Sequence, residues 1–458
     1  MSFVFYDLET TGLSSHFDQI VQFAAIRTDH QLEEIDRFEV RSRLCSDVVP
    51  HPQALWVNGV SIEQLVDPSL ASHYNMVGAV QAKLLSWSPS IFVGYNSLRF
   101  DEEFLRQALY KCLYPPYLTS NRGCGRADVM NLALDAATSS PSSFIVPFGA
   151  DDRRSFKLSD ITRANGITHS RAHDALSDVQ AMIALCNRLR GSAPGAWQRF
   201  SRFSNKRAVA DFIEAEDAFL LTTFSGNEAH HVPLVWLGND ARQANLASCL
   251  VINCETARLI SASPAELVVA VARTPSLVRK IRTNRAPALT PMYDIDDSEI
   301  ELGLSIDQIE EIGRAVRDDT AFRTRLLDLI RENEREWPSE MYVEKRIYEK
   351  FSSPADQSIM AEFHAVDWSR RAHVLSRLSD DRMQTLGLRL LSRERPDVLP
   401  MEQLAAVAQD LARLPSDADG PLTAGRALEL TADLIAKLEG EDVSMLEDYR
   451  AFLTRKAR

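Results

Sequence analysis

The chain lacks most of the features that would place it outside ordinary globular chemistry. No run approaches the about 18 uninterrupted apolar residues that a membrane helix needs, so a membrane-spanning protein is not expected. The N-terminus enters a strand-like run directly, with no basic segment and no cleavage site, and no export leader is expected. The six cysteines (Cys45, Cys112, Cys124, Cys186, Cys249 and Cys254) are scattered. None forms a CxxC pair, and no Cys/His cluster has zinc spacing. Reduced thiols in the cytoplasm are the expectation. An excess of positive charge is also missing: 51 Lys and Arg stand against 64 Asp and Glu, for a net charge of −13. This argues against bulk affinity for nucleic acid but leaves room for a local basic groove. There is no internal repeat and no low-complexity tract.

What is present is an ordinary globular composition, 45% hydrophobic and 25% charged, over 458 residues. At roughly 150 residues per domain, that length predicts about three domains. Residues 1 to about 190 read as mixed α/β. FVFYDLE, Ile20–Asp29 and IDRFEVRSRL have strand patterns, and Ser90–Ser97 is a compact buried strand ending in a turn. DEEFLRQALYKCLY has helical spacing at Phe104, Leu105, Ala108 and Leu109. HDALSDVQAMIALCNRLR places Leu176, Val179, Ile183 and Cys186 on one helical side. Gly191–Trp197 reads as a linker. Trp197 to Pro291 reads as short strands with turns, followed by an amphipathic stretch from Ile309 to Asn333. Glu334–Glu340 is a second expected boundary, and the remainder reads as helical.

The chemistry starts at Asp7 and Glu9. They are two residues apart on a strand, so their carboxylates share a face. GYNSLRFDEEFL contributes Asp101 at the start of a helix. SRAHDALSDVQ contributes His173 and Asp178, with Asp174 as the expected N-cap. Asp178 then lies one turn inside the helix and His173 just outside it. Carboxylates brought together repel and drift toward protonation unless a cation joins them. Oxygen-only ligands suit Mg²⁺ or Mn²⁺, and two such ions can serve phosphodiester hydrolysis. An imidazole with a pKa near 6.5 is a suitable base for the attacking water. The bland alternative for Asp7 and Glu9 is a solvated strand end, and for His173 a packing or capping role.

DLETTGL, GYNSLRFDEEFL and HDALSD together resemble the three motifs of DEDD-type 3′→5′ exonucleases, in the subgroup with H-x4-D in the last motif. QFAAIRTD, YPPY, SFKLSDITRANGITHSRAHDALSDV, FSNKRA and VEKRIYEKFSSPAD extend the likeness to bacterial exonuclease I. The resemblance implies an α/β ribonuclease H-like exonuclease domain (1–190), a β-rich SH3-like domain (194–338) and an all-helical C-terminal domain (342–458). It implies metals on Asp7, Glu9, Asp101 and Asp178, with His173 as general base. Glu9, Thr10 and Leu13 would hold the terminal nucleotide, and Arg106, Tyr117 and Lys157 would contact DNA. Lys157 stands where the family commonly has an arginine; lysine keeps the charge and loses the bidentate fork. ETTG is nearer to the generic proofreading form than to exonuclease I.

The implied function is degradation of single-stranded DNA to 5′-mononucleotides in DNA repair or recombination, by a monomer using two Mg²⁺, with Mn²⁺ as a substitute. The implied partner beyond DNA is the acidic tail of single-stranded DNA-binding protein. Two alternatives stay open: a DEDD enzyme acting on RNA or in proofreading, and a non-catalytic nucleic-acid scaffold that has kept the fold. Ser276–Leu289 is either a phosphate track or a solvated basic strand. Trp197–Arg207 is either a stacking and charge platform for a single strand or a segment packed on the next domain. Trp56–Leu65 either lines the nucleotide pocket, as the resemblance suggests, or is simply core.

Overall fold

The computed structural model describes residues 2–149, 152–169, 174–225, 228–240, 243–273, 276–295, 300–332, 340–413, 420–438 and 442–456. The first sheet has five strands: β1 (Ser2–Thr10), β2 (Ile20–Thr28), β3 (Glu34–Arg41), β4 (Ser90–Gly94) and β5 (Gly125–Asp128). Their order is β3-β2-β1-β4-β5. The first three pair antiparallel, whereas β4 and β5 join in parallel. Parallel pairing requires crossovers, and helices fill them. The central strand β1 is covered on both faces, which is why FVFY is a continuous apolar run rather than an alternating one. Val4, Tyr6 and Leu8 face one core with Phe104, Leu105 and Ala108. Phe3 and Phe5 face the other, with Val179, Met182 and Cys186. By the two-residue period, Asp7 and Glu9 continue the Phe3–Phe5 face, toward the helix that carries Asp178.

The helices that place the site are α1 (Pro52–Asn58), α2 (Asp101–Lys111) and α3 (Ala175–Ser192). Asp174 caps α3 by accepting from the Ser177 amide, as expected. Gly191–Trp197 is not a linker. α3 runs to Ser192 and α4 (Pro194–Phe203) starts at once, with Pro194 in its first turn, where the missing amide costs nothing. A further helix, α5 (Lys206–Ala215), follows under an Asn205 cap, so the stretch expected to open with strands opens with helices. Trp197 packs its ring 5.7 Å from Phe3 and 5.1 Å from Phe200. Arg199 is tied to Asp135 and Asp294. Of the two readings of Trp197–Arg207, the packed one describes these side chains.

The second sheet is antiparallel, in the order β10-β6-β7-β8-β9. Its strands are β6 (Phe219–Ser225), β7 (Glu228–Asn239), β8 (Leu246–Val251), β9 (Val278–Arg282) and β10 (Ala288–Pro291). The amphipathic stretch from Ile309 divides into two helices, Ile306–Asp318 and Thr320–Glu332, because the Asp319 carboxylate caps the second by accepting from the Phe322 amide. Of the boundary expected at Glu334–Glu340, residues 334–339 lie outside the described residues. From residue 342 onward the described elements are all helical, and they reach back onto the first sheet. Ala427 of α6 (Ala424–Lys437), Tyr449 and Leu453 pack with Leu55, Ile62 and Leu65. No helix among the described residues is long and apolar enough to cross a membrane.

The seam between the first sheet and the α4–α5 corner is a backbone contact. A Cβ on Gly125 would lie 2.7 Å from the Ser204 carbonyl oxygen, and the Arg126 amide donates to that same oxygen. Gly125→Ala is therefore expected to cost about 1–3 kcal/mol, read as a lower urea midpoint.

Candidate active site

At the C-terminal end of β1, Asp7, Glu9 and Asp178 each offer a carboxylate oxygen, and these oxygens lie within 4.8 Å of one another. Asp101 opens α2 on the same cavity, a space of about 960 Å³ that Asp7, Glu9, Asp101 and Asp178 all line. The carboxyl of Asp101 accepts from its own amide and from that of Leu8. Burial pushes the Asp7 carboxyl well above its ordinary range, and Asp101, Asp178 and Glu9 push it further. For Glu9, burial and then the charges of Asp178 and Asp101 raise the pKa to about 9, against a small opposing pull from Arg41. Asp101 rises to about 8, chiefly through burial. Behind it, Asp128 at the end of β5 accepts from the amides of Asn96, Leu98 and Met130 and still rises to about 6 because it is buried.

Acids held this close, in oxygen-only company and out of bulk water, are a donor set for hard divalent cations. Their raised pKa values are the cost that a cation would remove. Asp7, Glu9 and Asp178 meet this requirement by distance, and Asp101 by its place on the same wall.

His173 lies outside the described residues. A histidine that sequence reasoning missed does reach the cluster: His169 places Nε2 2.5 Å from Asp178 Oδ1, with Nδ1 3.2 Å from Thr162 Oγ1. The first histidine of THSRAHD, four residues before His173, was the available signal. Thr10 is buried at the cavity wall, its hydroxyl donating to the Gly12 carbonyl at 2.7 Å. Leu13 lines the same cavity and is 86% exposed, so an apolar surface faces whatever enters. Val57 and Asn58 of α1 also line it, and Asn58 donates to the Thr10 carbonyl at 3.2 Å, so Trp56–Leu65 does border this space. Leu422, just before α6, and Arg426 and Leu430 of α6 complete the wall.

A second groove of about 1260 Å³ shares Tyr95, Asn96 and Asp178 with the cavity. Arg99, Arg153, Arg154, Lys157 and Arg163 line it beside His169. The local basic surface that an acidic chain could still carry is therefore next to the acids. Arg106 and Tyr117 line neither space. Arg106 is buried and bonded to Glu102, and its guanidinium sits 5.4 Å from the Tyr117 ring. Tyr117 in turn packs on Phe351. Within Ser276–Leu289, Arg285 is committed to Glu103 at 3.1 Å.

A mixed sheet with an acid cluster at the end of its central strand, and a basic groove beside it, fits a metal-dependent nuclease of the exonuclease class. Residues 4–186 match the family described as Exonuclease. Exodeoxyribonuclease I of Escherichia coli K12 is 26% identical over 376 residues, covering 78% of each chain. The crystal structure of E. coli Exonuclease I in complex with a dA16 oligonucleotide superimposes with a TM-score of 0.84 at 21% identity, over 99% of each chain. Exonuclease I from Methylocaldum szegediense gives 0.85 at 22% identity, over 100% of this chain and 99% of that one. Solved structures with the same fold also include an SSB/Exonuclease I complex with the inhibitor CFAM and a zinc-bound E. coli ExoI–ssDNA complex. The chain is thus similar in sequence to Exodeoxyribonuclease I over about three quarters of its length, and it shares the fold of the solved Exonuclease I structures along its whole length.

Proposed function

We propose that this chain is a 3′→5′ exodeoxyribonuclease that degrades single-stranded DNA to 5′-mononucleotides, as a monomer, in cytoplasmic DNA repair or recombination. The observation that carries this is the convergence of Asp7, Glu9 and Asp178 within 4.8 Å, where the apolar-walled cavity meets the basic groove. Asp7, Glu9, Asp101 and Asp178 would hold two Mg²⁺, for which Mn²⁺ substitutes. When bound, these ions supply Lewis-acid polarisation of the scissile phosphodiester and stabilise the departing 3′ oxygen. Glu9, Thr10 and Leu13 hold the terminal nucleotide. Lys157, as a point charge, and its arginine neighbours, through their guanidinium forks, hold the phosphates upstream. His173 accepts the proton of the attacking water. His169, on Asp178, keeps that carboxylate aimed into the site.

Catalysis is assigned to residues 1–190, and enclosure of the strand to 194–338 and 342–458. The acidic tail of single-stranded DNA-binding protein is the proposed partner; the SSB complex solved for Exonuclease I supports it. The six unbridged thiols support the compartment.

The test uses single strands labelled at either end, with Mg²⁺. A 3′ label should appear first as a mononucleotide, and a 5′ label only in a descending ladder. Duplex and RNA should be degraded far more slowly. Release of the 5′ label first, or no cleavage, would reject the assignment.

A further inference from the structure

Two acids next to Asp101, Glu102 and Glu103, are not needed to hold a cation, yet both are bonded to distant parts of the fold. The Glu102 side chain is 1% exposed. Its Oε1 accepts from Arg106 Nε at 3.1 Å and Nη2 at 2.9 Å, from Thr119 Oγ1 at 2.5 Å and from Arg126 Nη1 at 2.8 Å. Its Oε2 accepts from the Tyr6 hydroxyl at 3.1 Å. These donors come from β1, next to Asp7, from the turn before β5, from β5 itself and from α2. Burial alone would raise this carboxyl, but Arg126 and Arg106 outweigh it and hold it at about 2. Glu102 is thus an ionised knot that ties the first turn of α2 to β1 and β5.

The knot also leaves the catalytic sheet. Arg126 Nη2 donates to the Asn284 carbonyl, in the turn between β9 and β10. Glu103 accepts from Arg285 in that turn and from the Tyr348 hydroxyl in the C-terminal helical part. Arg106 reaches the same hydroxyl at 3.4 Å. Both accessory parts therefore grip the helix turn that begins with Asp101.

We propose that Glu102 is a positioning residue for Asp101, and that the Arg126–Asn284, Arg285–Glu103 and Tyr348–Glu103 contacts make cation affinity depend on how the two accessory parts are seated. This rests on the reading of Asp101 as a metal ligand. A cation tolerates ligand displacements of only about 0.2 Å. A helix turn is stiff, so a tether slackened at Glu102 or Glu103 is felt at the adjacent Asp101 carboxyl. The accessory parts would then enclose the strand and also complete the metal site, a coupling free energy in the strict sense.

The test is Mn²⁺ binding to the full chain, with free Mn²⁺ counted by electron paramagnetic resonance, beside melting temperature and the Mn²⁺ dependence of cleavage. Glu102→Gln and Arg126→Lys are expected to raise the Mn²⁺ dissociation constant about tenfold. Arg285→Ala should raise it about threefold. Arg37→Ala, which removes an exposed pair with Glu34 far along β3, should change nothing. In each positioning variant, cleavage at saturating Mn²⁺ should recover, so half-saturation moves and kcat does not. A purely structural role would lower the melting temperature and kcat at every Mn²⁺ concentration, and that pattern overturns the proposal. Should Glu102→Gln fail to fold, Arg285→Ala decides, because its side chain is 37% exposed. Equal Mn²⁺ affinity in wild type and variants overturns both the positioning role and the coupling and leaves the metal reading standing. A wild type that binds no Mn²⁺ overturns the metal reading and the coupling with it.

Discussion

Asp7→Asn is expected to leave a folded chain with less than about a thousandth of its cleavage rate, a loss of about 4 kcal/mol in transition-state stabilisation. Asparagine matches aspartate in shape, so the pairing of residue 7 with Ala24 across β1 and β2 has no reason to change. What changes is charge. Asp7 joins Glu9 and Asp178 in the only triad of carboxylate oxygens found within 4.8 Å among the described residues, so the substitution removes one ligand and one negative charge at once. The same loss relieves repulsion in the metal-free protein. Its melting temperature without Mg²⁺ should therefore be no lower than that of the wild type. A variant that melted early would owe its inactivity to misfolding. One that kept more than a tenth of the rate would remove Asp7 from the chemistry.

The second large effect is the response to Mg²⁺ as pH rises. In the metal-free fold, Asp7 is held well above its ordinary range, Asp101 at about 8 and Glu9 at about 9, each chiefly by burial. The unfolded chain releases these protons near pH 4. Between roughly pH 4 and 9 the native state therefore binds more protons than the unfolded state, and its stability falls as pH rises. Below pH 4 both states are protonated and the contribution vanishes. A cation takes the place of the retained protons, so Mg²⁺ binding at pH 7 should release protons, measurable as a buffer-dependent heat in calorimetry. At 100 times its dissociation constant, Mg²⁺ adds about 2.7 kcal/mol. The rise in melting temperature on adding Mg²⁺ should be several degrees at pH 8 and close to zero at pH 4.5. A rise independent of pH would mean that the ion binds away from these acids.

Much of the catalytic part was legible because its signals are local. A two-residue period fixes which side chains share a strand face, and this placed Asp7 and Glu9 together. Asp174 as N-cap set the phase of α3 and so put Asp178 one turn in. Phe104, Leu105, Ala108 and Leu109 are all buried, as their helical spacing implied. Where local signals conflicted, reading by composition failed. Gly191–Trp197 looked like a linker through its Gly and Pro, but proline at a first helical turn starts α4. Trp197 and Arg199 looked like a binding surface and are packing and ion-pair partners.

By itself, then, the sequence determined which acids exist, on which elements, and on which face of each. Backbone periodicity and capping act over a few residues and need no knowledge of the rest of the chain. Only the tertiary structure decided that Glu102, one position after a site acid, is a buried knot rather than a ligand. It alone brought His169 to Asp178 and carried Asn284, Arg285 and Tyr348 to the first turn of α2. Those contacts span from 9 to more than 240 residues, and only the burial of apolar surface by sheets and helices sets which distant side chains meet.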